Sequence, residues 1–209
     1  MRAFVIAMEC EADCVRPFLR PGERLYVAGI GKVNAAAAAQ RAICEGADEI
    51  WNVGVCGGFG DDVEVGDVFG VDRAVEYDFD LATLNGTAVG VLNEYDTPYI
   101  ELQTREVLAG RDGEGAVATR AVRGCRTLAT GDRFNDGEDD YELIVKTLGA
   151  SLRDMEGAAI AHVCKRSGVR CVSVKCVTNV AGKGLMTGQY AENLAMCLKK
   201  LENAMKEIL

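Results

Sequence analysis

The chain has 209 residues, 49% of them hydrophobic and 26% charged, with only three prolines, which is the composition of a folded globular domain rather than of a disordered segment. Lysine plus arginine number 23 against 32 aspartate plus glutamate, a net charge of −9 that argues against a nucleic-acid or bilayer-surface partner. No run of apolar residues is long enough for a membrane span, and acidic residues arrive by position 9, so neither an anchor nor a signal peptide is expected.

The elements alternate along the chain. Ala3–Ala7 reads as a buried strand, followed by the polar Glu9 and Glu11. Leu25–Ala28 is a second strand, ending in Gly29-Ile30-Gly31-Lys32. An alanine-rich helix follows over Val33–Glu45. Strands are expected at Glu49–Val55 and Asp67–Val75, then an irregular polar stretch from Glu76 to Asp96. Glu101–Ala109 and Asp139–Leu148 read as helical, with strands at Ala116–Val122 and Cys125–Thr130 between them. Glu156–Arg166 is a helix, Val169–Val177 a strand, and Ala191–Ile208 a terminal amphipathic helix. Strands alternating with helices predict βαβ units and a mostly parallel sheet, covered on both faces. With no linker and no internal repeat, residues 1–209 are expected to form one α/β domain.

The nine cysteines include no C-x-x-C pair, and most sit in apolar runs, so they read as core packing in a reducing compartment. The one histidine, His162, lies in an apolar helical stretch and reads as structural, which leaves little material for a metal site or a Ser-His-Asp triad. In parallel α/β sheets, ligands bind beyond the carboxyl ends of strands. Four segments occupy such places: Glu9 and Glu11; Gly54-Val55-Cys56-Gly57-Gly58; Gly131-Asp132-Arg133-Phe134-Asn135-Asp136-Gly137; and Asp154-Met155-Glu156 with Val177-Thr178-Asn179-Val180. Each alone has a structural reading, as helix-start acids, a glycine turn or a cap.

In this order, however, the segments resemble the purine nucleoside phosphorylase and nucleosidase family, and most closely the 5′-methylthioadenosine/S-adenosylhomocysteine nucleosidases. The runs that carry the resemblance begin with Ile6-Ala7-Met8-Glu9-Cys10-Glu11, Gly29-Ile30-Gly31-Lys32-Val33 and Asn52-Val53-Gly54-Val55-Cys56-Gly57-Gly58. They continue with Val65-Gly66-Asp67-Val68, Thr130-Gly131-Asp132-Arg133-Phe134, the run from Met155 to Cys164, and Thr178-Asn179-Val180-Ala181. The resemblance implies a three-layer sandwich with a central mixed, mostly parallel sheet flanked by helices. It also implies a homodimer and a small-molecule purine nucleoside as partner; no cofactor or metal is expected, and the cysteine usage and lack of a signal peptide fit a cytoplasmic setting. The implied activity is hydrolysis of an N-glycosidic bond. Glu11 corresponds to the carboxylate that activates water, Glu156 to the one that holds the ribose hydroxyls, Met155 to its neighbour under the sugar, and Phe134 to the ring stacked on the base. Asn135 and Thr178 flank these positions, and Met8, Ile30, Leu81 and Leu84 fall near the pocket for the 5′ substituent.

The chain departs from the family pattern in ways that bear on substrate. Asn179 stands where the nucleosidases carry the aspartate that protonates the leaving base. An amide cannot supply that proton, but it accepts from an N7–H and donates to a 6-oxo group, which favours a 6-oxopurine over adenine. Val55 replaces a serine, and Asn52 stands where hexameric phosphorylases place a phosphate-binding arginine. Lys175 replaces an arginine, and the stretch between Phe18 and Leu25 is short. With the phosphate donors missing, hydrolysis is favoured over phosphorolysis, for which Lys32 remains a candidate cation. The alternatives are a purine nucleoside phosphorylase, or a nucleoside-binding homologue without turnover.

Overall fold

A computed structural model describes residues 1–109, 121–134 and 138–209. Eight strands run β1 Arg2–Ile6, β2 Arg24–Val27, β3 Glu49–Gly58, β4 Val68–Glu76, β5 Ile100–Glu101, β6 Cys125–Thr130, β7 Leu152–Asp154 and β8 Arg170–Val180. The helices are α1 Glu9–Ala12, α2 Lys32–Cys44, α3 Ala82–Asn85, α4 Thr104–Leu108, α5 Glu138–Tyr141, α6 Gly157–Ser167 and α7 Met186–Ile208. A 3₁₀ turn covers Arg16–Phe18, and a π-helical stretch, Glu142–Thr147, continues α5.

The sheet closes on itself, barrel-like, where a three-layer sandwich was expected. Strand β3 pairs in parallel with β8 from Glu49↔Arg170 to Gly58↔Val180. Strand β8 turns antiparallel onto β4, β4 is parallel to β6, and β6 is parallel to β7. Strand β7 then returns antiparallel to β3 through Gly57↔Arg153 and Gly58↔Leu152. The first half of β3 instead pairs with β1, which carries β2, while β5 edges β4. A ten-residue strand thus serves two neighbours on one side, one at each end. The α/β class and the predominance of parallel pairing are as the strand pattern predicts. The closure depends on three-residue β7, too short to leave a period in sequence.

Apolar burial explains the helix positions. Ala35, Ala39 and Ala42 form the buried stripe of α2, and their small side chains let it pack closely on α6 and β1. On the other face of the sheet, Cys197, Leu201, Ala204 and Met205 of α7 pack with Phe4, Trp51, Val172 and Val174. Six cysteines are buried in these cores; Cys10 and Cys44 are exposed, and all nine are free thiols. His162 on α6 faces Glu76 at 3.2 Å from Nδ1. The expected strand at Ala116–Val122 falls mostly outside the described residues, and Ala121 and Val122 lie in no strand. Among the described residues, no helix is long and apolar enough to cross a membrane.

Candidate active site

The carboxyl ends of β1, β3, β7 and β8 open into one cavity of about 350 Å³. Its wall is built from Met8 and Glu11 after β1, Val55, Cys56 and Gly57 of β3, Asp154, Met155 and Glu156 at β7, and Thr178 of β8. Ile30 after β2, Phe134 after β6, and Thr187 and Tyr190 of α7 complete the enclosure.

Glu11 is held by the turn that creates α1. The Met8 N–H donates to its Oε2 at 3.1 Å, the helix-start contact that places a glutamate three residues into the turn. The Val55 N–H donates to Oε1 at 2.8 Å. This approach requires Gly54, because a Cβ there would stand 2.6 Å from Glu11 Oε1. Glu11 is 3% exposed. Burial pushes its carboxyl above the usual range, against the pull of Lys175 and the two backbone donors.

Glu156 precedes α6, and its Oε1 accepts from the Gly31 N–H at 2.8 Å. Its carboxyl is pushed up to about 7, first by burial and then by the neighbouring Asp154, while Lys175 opposes the rise. Asp154 anchors the cluster. It accepts from Thr130 Oγ1 at 2.6 Å and the Gly157 N–H at 2.9 Å, and it pairs with Lys175 Nζ at 2.8 Å, both side chains 2% exposed. Burial works against the Lys175 charge, but Asp154, Glu156 and Glu11 outweigh it and raise the ammonium above its ordinary value. Three carboxylates therefore face one buried cation. Such a cluster is held by its pairing, because an unpaired buried charge costs several kcal/mol.

The mouth is apolar. Phe134 and Ile30 are half-exposed, and Phe134 meets Tyr190 edge-on with centroids 5.8 Å apart. Tyr190 Oη lies 3.7 Å from Met8 Sδ.

Of the residues singled out in the sequence, Met8, Glu11, Ile30, Phe134, Met155, Glu156 and Thr178 converge on this cavity. Leu81, at the start of α3, is not part of its lining, and Asn135 lies outside the described residues. Asn179 is enclosed behind the wall: its Oδ1 accepts from Thr178 Oγ1 at 2.7 Å, and its Nδ2 donates to Met186 Sδ at 3.4 Å. It sits against Gly57, with Nδ2 3.0 Å from where a Cβ would stand. Asn52 is occupied within the sheet, donating to the Val5 carbonyl. Lys32 binds Glu76 and Asp78 rather than lining the cavity. Thr187 and Tyr190 were absent from the sequence expectation, because the terminal helix was expected to begin at Ala191. Their i, i+3 spacing on a longer helix is the signal that puts both on one face.

Comparison with known proteins agrees with this geometry. The family model described as "Phosphorylase superfamily" matches residues 22–209. The 5′-methylthioadenosine/S-adenosylhomocysteine nucleosidase of Treponema pallidum is 31% identical over 181 residues, covering 76% of this chain and 66% of the relative. The aminodeoxyfutalosine nucleosidase of Campylobacter jejuni is 30% identical over 155 residues, covering 74% and 66%. The chain thus spans just under two thirds of the length of these curated relatives. The crystal structure of the Neisseria meningitidis 5′-methylthioadenosine/S-adenosylhomocysteine nucleosidase in complex with methylthio-immucillin-A superimposes with a TM-score of 0.82 at 27% identity, covering 99% of this chain and 97% of that one. A closed mixed sheet with carboxylates at its strand ends, and a family match over nearly the whole length, place this chain in the phosphorylase superfamily.

Proposed function

We propose that the chain is a nucleosidase that hydrolyses the N-glycosidic bond of a purine nucleoside, working as a homodimer of single-domain subunits (residues 1–209) in the cytoplasm. The observation that carries the reading is the pair of buried carboxylates, Glu11 and Glu156, on one cavity whose lining holds no cation committed to phosphate. Arg153, the basic residue in that lining, is bound to Asp140 at 2.8 Å, and Lys32 is bound to Glu76 and Asp78. A phosphate nucleophile, with nearly two negative charges, would meet carboxylates there instead of donors.

In this reading the C1′–N9 bond breaks through a cation-like sugar, which the Glu156 carboxylate stabilises while accepting from the ribose hydroxyls. Glu11 orients a water and takes its proton as the oxygen bonds to C1′. Its fixed Oε1 and Oε2 partners hold that orientation without further ordering on binding. Phe134 and Tyr190 clamp the base, Met155 lies under the sugar, and Met8 and Ile30 contact the 5′ substituent. Thr178 braces Asn179, whose amide turns from Met186 past Gly57 to accept from N7–H and donate to a 6-oxo group. The departing base draws its proton from solvent.

Free thiols throughout the chain favour a reducing compartment. The half-exposed Ile30 and Phe134 at the mouth, with exposed Val33 one turn on, favour a second copy as cover. The deciding experiment is base release from inosine, adenosine and methylthioadenosine, with and without phosphate. Release independent of phosphate and fastest from inosine is expected. Strict dependence on phosphate overturns hydrolysis, and release from adenine nucleosides alone overturns the role given to Asn179.

A further inference from the structure

Two of the cavity walls are loops tied to the sheet only at their first residue, by the Gly29 N–H to the Ala7 carbonyl at 3.0 Å and the Gly131 N–H to the Asp154 carbonyl at 3.2 Å. One is Gly29–Gly31, which brings Ile30 to the mouth and the Gly31 N–H to Glu156. The other is Gly131–Phe134, which brings the aromatic ring. They leave the sheet far apart, one after β2 and the other after β6, in the strand order β2-β1-β3-β7-β6-β4.

Three charged residues tie them into a closed circuit. The Lys32 N–H donates to Asp132 Oδ1 at 2.8 Å. The Asp132 N–H donates to Asp78 Oδ2 at 3.0 Å. Asp78 Oδ1 accepts from Lys32 Nζ at 2.6 Å, which returns to the start. Glu76 braces the same ammonium at 3.1 Å. The register Glu76↔Thr130 between β4 and β6 brings the segments holding Asp78 and Asp132 out side by side, so both reach one lysine.

The circuit answers a deficit in α2. The helix opens at Gly31, which has no side chain to cap the first amides. Carboxylates from elsewhere take them: Glu156 accepts from Gly31 and Asp132 from Lys32. The fit is close. A Cβ at Gly31 would stand 3.1 Å from Asp132 Oδ1, and one at Gly131 would stand 2.5 Å from the Tyr77 ring and 3.1 Å from Asp78 Cγ.

We infer that Lys32, Asp78 and Asp132 are positioning residues that fix the gap between Ile30 and Phe134, and thereby set how tightly the nucleoside is gripped. The assignment rests on the nucleosidase reading for its substrate, though the circuit itself does not. It also gives Lys32 a task other than binding phosphate.

The test compares Asp132→Ala, which removes the acceptor, with Asp132→Asn, which keeps an oxygen facing the Lys32 N–H. Lys32→Met and Lys32→Arg form the second pair. Two readouts are taken on the unliganded and working protein: amide hydrogen exchange in the segments around residues 31 and 132, and steady-state kinetics of base release. In Asp132→Ala, faster exchange at the Lys32 amide is expected, with KM raised about tenfold and kcat changed less than about threefold. Asp132→Asn should restore both values to near wild type. Lys32→Met should raise KM comparably, and Lys32→Arg should recover most of it. Unchanged exchange in Asp132→Ala overturns the circuit. Faster exchange with KM unaltered, or a fall in kcat alone, overturns its role in grip. Absence of base release from any purine nucleoside by the wild type, with exchange responding as expected, counts against the nucleosidase reading and leaves the circuit standing.

Discussion

The floor and the mouth of the cavity are built on opposite terms. The floor is carried by strand ends, and its groups are charged, buried and held by backbone or side-chain partners. Glu11 has two backbone donors, Asp154 has Lys175, Thr130 and Gly157, and Glu156 has Gly31. The mouth is carried by loops and by the start of α7, and its groups are apolar and half-exposed, as with Ile30 and Phe134. In the proposed reaction, the charge that meets the reacting centre sits on backbone held at strand ends. Surface that must meet variable substituents sits where it can be replaced at small cost in stability.

Substitution of the floor should produce the largest losses. Glu11→Gln keeps the shape but cannot take a proton, and kcat should fall about 10²–10⁴-fold in a base-release assay. Gly54→Ala comes next. Its Cβ would press on Glu11 Oε1, so calorimetry should show a loss of about 1–3 kcal/mol, together with a fall in kcat. A variant as active as wild type would mean that the Glu11 position has slack that the geometry does not show.

The pH profile probes the floor without mutation. Glu156 is raised from 4.5 to about 7, so its charged form is lost below that value, and kcat/KM should fall about tenfold per pH unit on the acid side. The sign for stability follows from the same shift. The folded state keeps a proton that the unfolded chain releases, so this group's contribution is full below 4.5 and is lost as pH rises to about 7. Glu156→Gln should accordingly gain on wild type in thermal melts across that window, even as it loses activity. At the mouth, Phe134→Ala should raise KM by about tenfold or less and leave the melting temperature nearly unchanged, since the ring is half-exposed. A large loss of stability there would erase the contrast between the two regions.

The same contrast explains what could be read from sequence. Long apolar strands and the alanine stripe of α2 leave strong periodic signals, and β6 matches its expected bounds of Cys125–Thr130. Glu11 and Phe134 were legible because each follows a strand whose end was itself legible, whereas Glu156 follows the short β7 and was singled out through the family resemblance. Closure of the sheet was not legible, because it depends on the short β7 and on the antiparallel turn of β8 onto β4, which are tertiary choices. Asn179 shows a different limit. Its place after a strand was clear, yet in β8, which extends three residues past the expected end to Val180, it faces Thr178 and Met186 and not the open space. Leu81 was assigned from the family resemblance, in an irregular stretch with no period to fix its direction, and it is not among the residues that line the cavity.

The closed circuit of β3, β8, β4, β6 and β7 has a consequence for how such a protein can change. An open sheet can accommodate a larger ligand by splaying at an edge, but a closed one has a circumference set by its strand count and stagger. The span across the floor is therefore fixed in whole-strand steps. A larger substituent is then met at the rim, through the segments after β2 and β6 and the start of α7.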